Sequence, residues 1–293
     1  MSDKQLTKKE HFIPKFYLKE FKDSDSYLHC YDFCKMAPFK TRPKEFAFKV
    51  NLYETLWTNA DPTWGKYVLP NNIEKCYSKY EGNYSHLLNR IKNIVTPHQN
   101  PTALILNSSE KRILFSFITN LLVRNPENMN ILGVNEASKD INNSTEVTFI
   151  EPFLKEIGIY NMDSLIVAAM KKLLLTETIE GSPIFQFIAS LENYKLGFLY
   201  NKDDTFITCT IPVIYAEDPY MAAEDKTIFY LPLTPKIAIL LGNYRSIKSN
   251  HIRIISPELS DLFNKRVIQY SKKNNLTIIA NTKSLIEKYI KYS

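Results

Sequence analysis

Apolar positions recur with a helical period through the middle of the chain. Ile73, Cys76, Tyr77, Tyr80, Tyr84, Leu87, Leu88 and Ile91 fall three and four apart, the spacing that gathers one face of an α-helix onto a core. A second helix is predicted from Ser108 or Ser109 as its cap through Ile113, Leu114, Phe117, Ile118, Leu121 and Leu122. It stops at Arg124-Asn125-Pro126, because proline has no amide to continue it. Glu127 to Lys139 reads as another helix, Asp163 to Thr178 as one with an aspartate cap, and Pro183 to Leu191 as a shorter one.

On either side the runs shorten and the period changes. Pro14 to Phe21 reads as a short helix, since proline suits a first turn; Ser26 to Phe33 reads as a strand, and a second extended piece covers Phe46 to Val50. Residues 57 to 70 hold both tryptophans, Gly65 and two prolines, and read as loop. After residue 193 the segments Lys195–Tyr200, Phe206–Tyr215, Thr227–Leu233, Ile237–Gly242 and Ile252–Ile255 predict an antiparallel meander. Pro257 to Lys273 (helix), Leu276 to Ala280 (strand) and Thr282 to Tyr292 (helix) close the chain. The predicted class is α+β in one domain: a mixed part over 1–69, a helical block over 70–192, and an antiparallel sheet with closing helices over 193–293. No internal repeat is visible.

Composition sharpens this by exclusion. The 293 residues include only 7 Gly, at 65, 82, 133, 158, 181, 197 and 242. None forms Gly-x-Gly-x-x-Gly or Gly-x-x-x-x-Gly-Lys, so the dinucleotide and P-loop phosphate cradles are ruled out. Any anion site must use side chains and helix ends. Of 37 basic residues 30 are Lys, against 31 acidic, for a net charge of +6. Residues 1–50 carry +4 and residues 246–293 carry +6, which leaves −4 for the middle. If the ends meet in the fold they form a basic lobe able to attract phosphates; a lysine-rich solvated surface would read the same way.

Cys30, Cys34, Cys76 and Cys209 lack zinc spacing, and His29 beside Cys30 sits in an alternating strand pattern. Few, irregular cysteines fit a reducing compartment. The polar start MSDKQLTKKEHF reads as no secretory leader, and no apolar run reaches the length of a membrane span. The expected location is the cytoplasm, with no membrane partner.

Three features carry possible chemistry. His11 precedes the proline-started helix, whose N-terminal amides favour an anion, and Lys15 adds charge there; the same histidine can equally cap the helix or sit in the core. Glu74 and Glu81 are two helical turns apart, so both carboxylates face one way. That spacing suits a divalent metal, Mg²⁺ or Mn²⁺, or acid–base work, and also suits solvated ion pairs with Lys75 and Lys79. Gly82 follows Glu81 in mid-helix, where glycine is costly unless something approaches closely. Arg124, at a helix end, can satisfy the last carbonyls or hold a phosphate in a two-pronged grip. There is no Gly-x-Ser-x-Gly elbow and no His-Glu-x-x-His.

Taken in order, these segments resemble a bacterial family known as domain of unknown function 4238. The opening His-x-x-Pro-x-x-Tyr-Leu-x-x-Phe motif is met by His11, Pro14, Tyr17, Leu18 and Phe21. SYLHCYDF, Asn51-Leu52-Tyr53, Glu74 with Glu81-Gly82, and the ending Leu121 to Pro126 follow. Phe229 to Lys236 is similar to the family's Phe-x-Pro-Leu-(Ser/Thr)-Pro strand. Where the family carries Phe-(Ile/Val)-Thr-Ser-Asp-x-Pro, Cys209 and Thr210 stand in place of Ser and Asp; Asp203 or Asp204 would replace that Asp only with a different geometry. The resemblance transfers no established activity. It implies that His11, Glu81 and Arg124 converge, with His11 as general acid or base, Arg124 on a phosphate, and Glu81 with Glu74 placing water or metal. The expectation is a nuclease-like or other phosphate-substrate enzyme, in stress or phage defence, acting on nucleic acid or nucleotides. The rival is a non-catalytic binding or interaction module whose His-Glu-Arg cluster is structural; a subunit that works only with a protein partner is a third reading.

Overall fold

The structure, a computed structural model, describes residues 9–57, 66–95, 105–131, 162–177, 180, 182–215, 227–242 and 250–291. In chain order the elements are β1 (Lys9–His11), α1 (Lys15–Leu18), β2 (Leu28–Asp32), β3 (Ala37–Thr41), β4 (Phe48–Val50), β5 (Thr55–Leu56) and β6 (Tyr67–Val68). Helices α2 (Asn72–Val95), α3 (Ser108–Val123), α4 (Pro126–Ile131), α5 (Met162–Leu175) and α6 (Pro183–Leu191) follow. Then come β7 (Lys195–Tyr200), β8 (Thr208–Cys209), β9 (Ile214–Tyr215), β10 (Thr227–Pro232), β11 (Ile237–Gly242), β12 (His251–Ile254), α7 (Pro257–Lys273), β13 (Thr277–Ala280) and α8 (Lys283–Ile290). The protein is α+β, as its pattern predicts. The tail of the helix expected over Glu127 to Lys139, past Ile131, and the loop around Trp64 lie outside the described residues.

The chain gathers into two compact units. The first takes residues 1–12, 48–80 and 123–187; the second takes 13–47, 81–122 and 188–293. In the first, β1 pairs antiparallel with β4, His11 opposite Phe48, and β5 pairs with β6. Helix α5 presents Ser164, Ala168, Lys171 and Leu175 as buried positions, at the spacing of one helix face.

The second unit holds two sheets. One has the order β12-β7-β11-β10-β9 and the other β3-β2-β13-β8. All six residues of β11 are buried, so it is a central strand apolar on both faces. The meander is antiparallel from β7 through β10, but β12 lies parallel on β7. The single strand expected over Phe206 to Tyr215 is two: β8 joins β13 in the N-terminal sheet, and β9 joins β10. Pro212 lies between them, where a missing N–H would interrupt a ladder. Strand β2 pairs with β13, bringing the early and late basic stretches side by side. Phe206, Tyr230, Phe263, Val267, Ile278 and Tyr289 are in the core between these layers.

Helix starts are set by side chains. Ser256 and Thr282 cap α7 and α8. For α3 the cap is Asn107 rather than a serine: its Oδ1 accepts from the Glu110 amide at 2.9 Å, while Glu110 Oε2 accepts from the Asn107 amide at 2.9 Å. This reciprocal box satisfies two otherwise unpaired amides.

Candidate functional site

In the first unit, β1, the chain at Tyr53 and Glu54, the start of α2, the turn before α4, and α5 enclose a buried polar cluster. Strand β1 does not alternate cleanly. Lys9 is exposed, but Glu10 is fully buried and His11 nearly so. Glu10 Oε2 accepts from the Tyr53 amide at 2.9 Å. Its Oε1 is buried and receives no bond from a protein donor among the described residues. Arg124 is 1% exposed; its Nη2 donates to the His11 carbonyl at 2.7 Å, and its guanidinium lies 4.1 Å over the Tyr77 ring. Tyr77 donates to the Leu175 carbonyl at 2.7 Å, which ties α5 to α2. Lys171, from the buried face of α5, donates to the Glu54 carbonyl at 3.1 Å, and Glu54 Oε1 accepts from the Asn71 amide at 2.8 Å.

The electrostatics follow from this burial. Loss of solvent pushes the Glu10 carboxyl up to about 7. The Tyr53 amide opposes the rise, and the nearby carboxylates of Glu54 and Glu74 add to it. Glu54 meets Glu10 as acceptor against acceptor, which raises the Glu10 carboxyl a little further. Burial lowers Lys171 from its ordinary value, while the negative charge of Glu10 and Glu54 works the other way. A carboxyl that titrates near neutrality therefore sits with a buried amine and two further acids, in the same unit as a buried guanidinium. Beside it Tyr53, Glu54, Thr55, Asn72, Ile73 and Ala168 line part of a cavity of about 10 Å³, room for about one water.

The structure brings His11, Arg124 and Glu74 into this unit. Arg124 touches His11 through the backbone carbonyl, while the imidazole is tilted against Phe48 with ring centres 5.5 Å apart. Glu81 and Lys15 belong to the second unit, the former half-buried and the latter exposed. Helix α1 has four residues, and its Tyr17 and Leu18 amides bond back to the Pro14 carbonyl. Gly82 admits no close approach: a Cβ there would meet nothing within 4 Å among the described residues. No group of three His, Cys, Asp or Glu side chains among the described residues is arranged to hold a metal ion.

Glu10, Tyr53, Glu54, Tyr77 and Lys171 do not stand out as site residues in the sequence. A signal exists for Lys171, which shares the 164, 168, 175 face of an apolar helix, the wrong face for a solvated lysine. Glu10 falls in the polar start of the chain, where no apolar pattern marks it.

The other motif residues meet in the second unit. Tyr17 donates to the Pro232 carbonyl at 2.7 Å and bonds Thr208 Oγ1 at 2.8 Å, joining the opening motif to both later strands. Cys209 is buried, its thiol donating to the Ile211 carbonyl at 3.0 Å. Thr210 donates its amide to the Thr277 carbonyl and accepts from the Thr277 amide on Oγ1. The Asp203 amide donates to Asn201, and the Asp204 carboxylate pairs with Lys236 at 3.3 Å.

A family model described as "Protein of unknown function (DUF4238)" matches residues 9–284 of the chain. No curated protein and no solved structure matches it.

Proposed function

The chain belongs to the DUF4238 family, and on that premise we propose that it is a proton-transfer enzyme acting on a phosphate-bearing substrate, a nucleic acid or nucleotide. The observation that carries the reading is Glu10, a fully buried carboxyl titrating near 7 beside Glu54 and coupled to Lys171. Such a group gives and takes protons at physiological pH, and buried cations nearby offset the charge of a phosphate or of its transition state. In this reading Glu10 exchanges the proton, His11, its neighbour in the chain, is the second acid–base group, and Arg124 and Lys171 supply the positive charge. Glu74 tunes Glu10 through its charge. Four free cysteines support a reducing, cytoplasmic setting.

One observation favours the non-catalytic alternative. Arg124 commits Nη2 to the His11 carbonyl and is almost inaccessible, the posture of a buried structural arginine. The experiment that separates the two incubates wild type with mixed RNA, DNA and nucleotides, with and without Mg²⁺ or Mn²⁺. Glu10→Gln, which keeps size and hydrogen bonding, is run alongside His11→Ala. Loss of turnover in Glu10→Gln with a melting temperature no lower than that of wild type supports the enzyme. Turnover undiminished in both variants refutes the acid–base roles of Glu10 and His11.

A further inference from the structure

The two basic stretches of the sequence meet in the second unit, where β2 pairs with β13 and α8 follows. Between the β2–β3 hairpin and α8 lies a groove of about 850 Å³, the size of a small-ligand site. The register sets Tyr31 opposite Pro38 and His29 opposite Lys40, and residues directly opposite share one face of a sheet. From α8, Ile286 and Ile290 complete the apolar lining, while Lys283 and Lys291, one turn either way, stand at the rim with Lys40 across from them. The acids facing the groove are few. Asp23 pairs with His29 at 2.8 Å and with Lys40 at 3.3 Å, and Glu287 pairs with Lys283 at 3.1 Å. The Lys40 and Lys283 side chains remain 43% and 74% exposed, so both still present charge to solvent. Phe39 alternates to the other face of the outermost strand, where its ring meets Phe46 at 6.0 Å.

An apolar floor with cations along both rims matches a chain of planar bases carrying phosphates at their edge. We infer that this groove binds single-stranded nucleic acid, bases against Pro38 and Ile290 and backbone phosphates against Lys40, Lys283 and Lys291. Bases stack on aromatic and apolar faces without regard to sequence, and lysines track the backbone. A wholly acidic peptide would satisfy the rim but bring nothing apolar to the floor. Single-stranded nucleic acid is thereby the substrate class for the phosphate chemistry proposed above; its turnover rests on that reading, while its binding is measured alone.

The test is fluorescence anisotropy with labelled single-stranded oligo-dT and oligo-U, each about fifteen nucleotides long, at about 50 and about 200 mM salt. Three phosphate contacts on a single strand predict an affinity loss of about twentyfold across that salt range. Lys283→Ala with Lys291→Ala, both solvent-facing, should weaken binding about tenfold and cut the salt slope to about a third. Ile290→Ala should cost about fivefold or more. Absence of saturable binding overturns the proposal, as does a salt slope unmoved by the lysine pair. Equal affinity for a polyglutamate peptide also overturns it, and assigns the groove to an acidic protein. Glu10→Gln tells the two ideas apart. Wild-type binding without turnover in that variant supports both; binding with undiminished turnover keeps the groove and refutes the acid–base role; turnover without binding refutes the groove.

Discussion

Glu10→Gln changes one proton and almost nothing else, and its effect on stability has a definite sign. The folded carboxyl titrates at about 7 against an ordinary 4.5, because burial and the Glu54 and Glu74 charges disfavour its ionised form. Between those two values the folded state holds a proton that the unfolded chain has released. Its contribution to stability is therefore complete below about pH 4.5 and is lost as the pH rises through about 7. At about 1.36 kcal/mol per pKa unit the full loss is about 3 kcal/mol, of which about 2.5 kcal/mol falls between about pH 5 and pH 8. Glutamine keeps the acceptor for the Tyr53 amide and turns a donor toward Glu54, so it mimics the protonated acid at every pH. Urea denaturation at about pH 5 and about pH 8 measures the difference. The variant's advantage over wild type should grow by about 2.5 kcal/mol between about pH 5 and pH 8. Parallel pH dependences in the two proteins would show that Glu10 is ionised in the folded state, and would refute it as the neutral-pH proton carrier.

Other outcomes follow from single contacts. Lys171→Met removes a cation whose charge couples to Glu10 and Glu54; the loss of stability with rising pH should extend to a higher pH than in wild type, read from the same denaturation series. Gly82→Ala places a methyl where nothing lies within 4 Å, inside α2, and should raise the unfolding free energy by up to about 1 kcal/mol. A destabilised alanine variant would mean that something packs there. Tyr17→Phe strands the Pro232 carbonyl and Thr208 in the core, and should cost about 1–3 kcal/mol in chemical denaturation. A neutral result would mean that water replaces the phenol.

Local order is legible where a single face or a single cap decides it. The helices over 72–95, 108–123, 183–191 and 257–273 show in apolar spacing and in proline placement, both properties of neighbouring residues. The misreadings share a cause in partners distant along the chain. β12 follows a turn and would pass for another antiparallel strand, yet it docks parallel on β7 because the edge open to it is that one. β8 and β9 form one apolar run in sequence, and only competition between two sheets for their hydrogen bonds divides them. Strand β3, with Pro38, has no counterpart in the sequence pattern; an edge position tolerates the missing amide.

The site divides along the same line. The chain's own chemistry determined that no glycine cradle exists, that anions must be met by side chains and helix ends, and that His11 and Arg124 belong to motifs. Its charge distribution also marked the two basic ends as potential neighbours. Tertiary structure alone decided which groups became unusual. Glu10 is an ordinary acid until β1, Tyr53 and α5 close over it, and its affinity for a proton comes from removed water and from carboxylates brought in across the chain. Spacing can place a carboxylate on a face. Only packing sets the dielectric around it, and so its protonation at neutral pH.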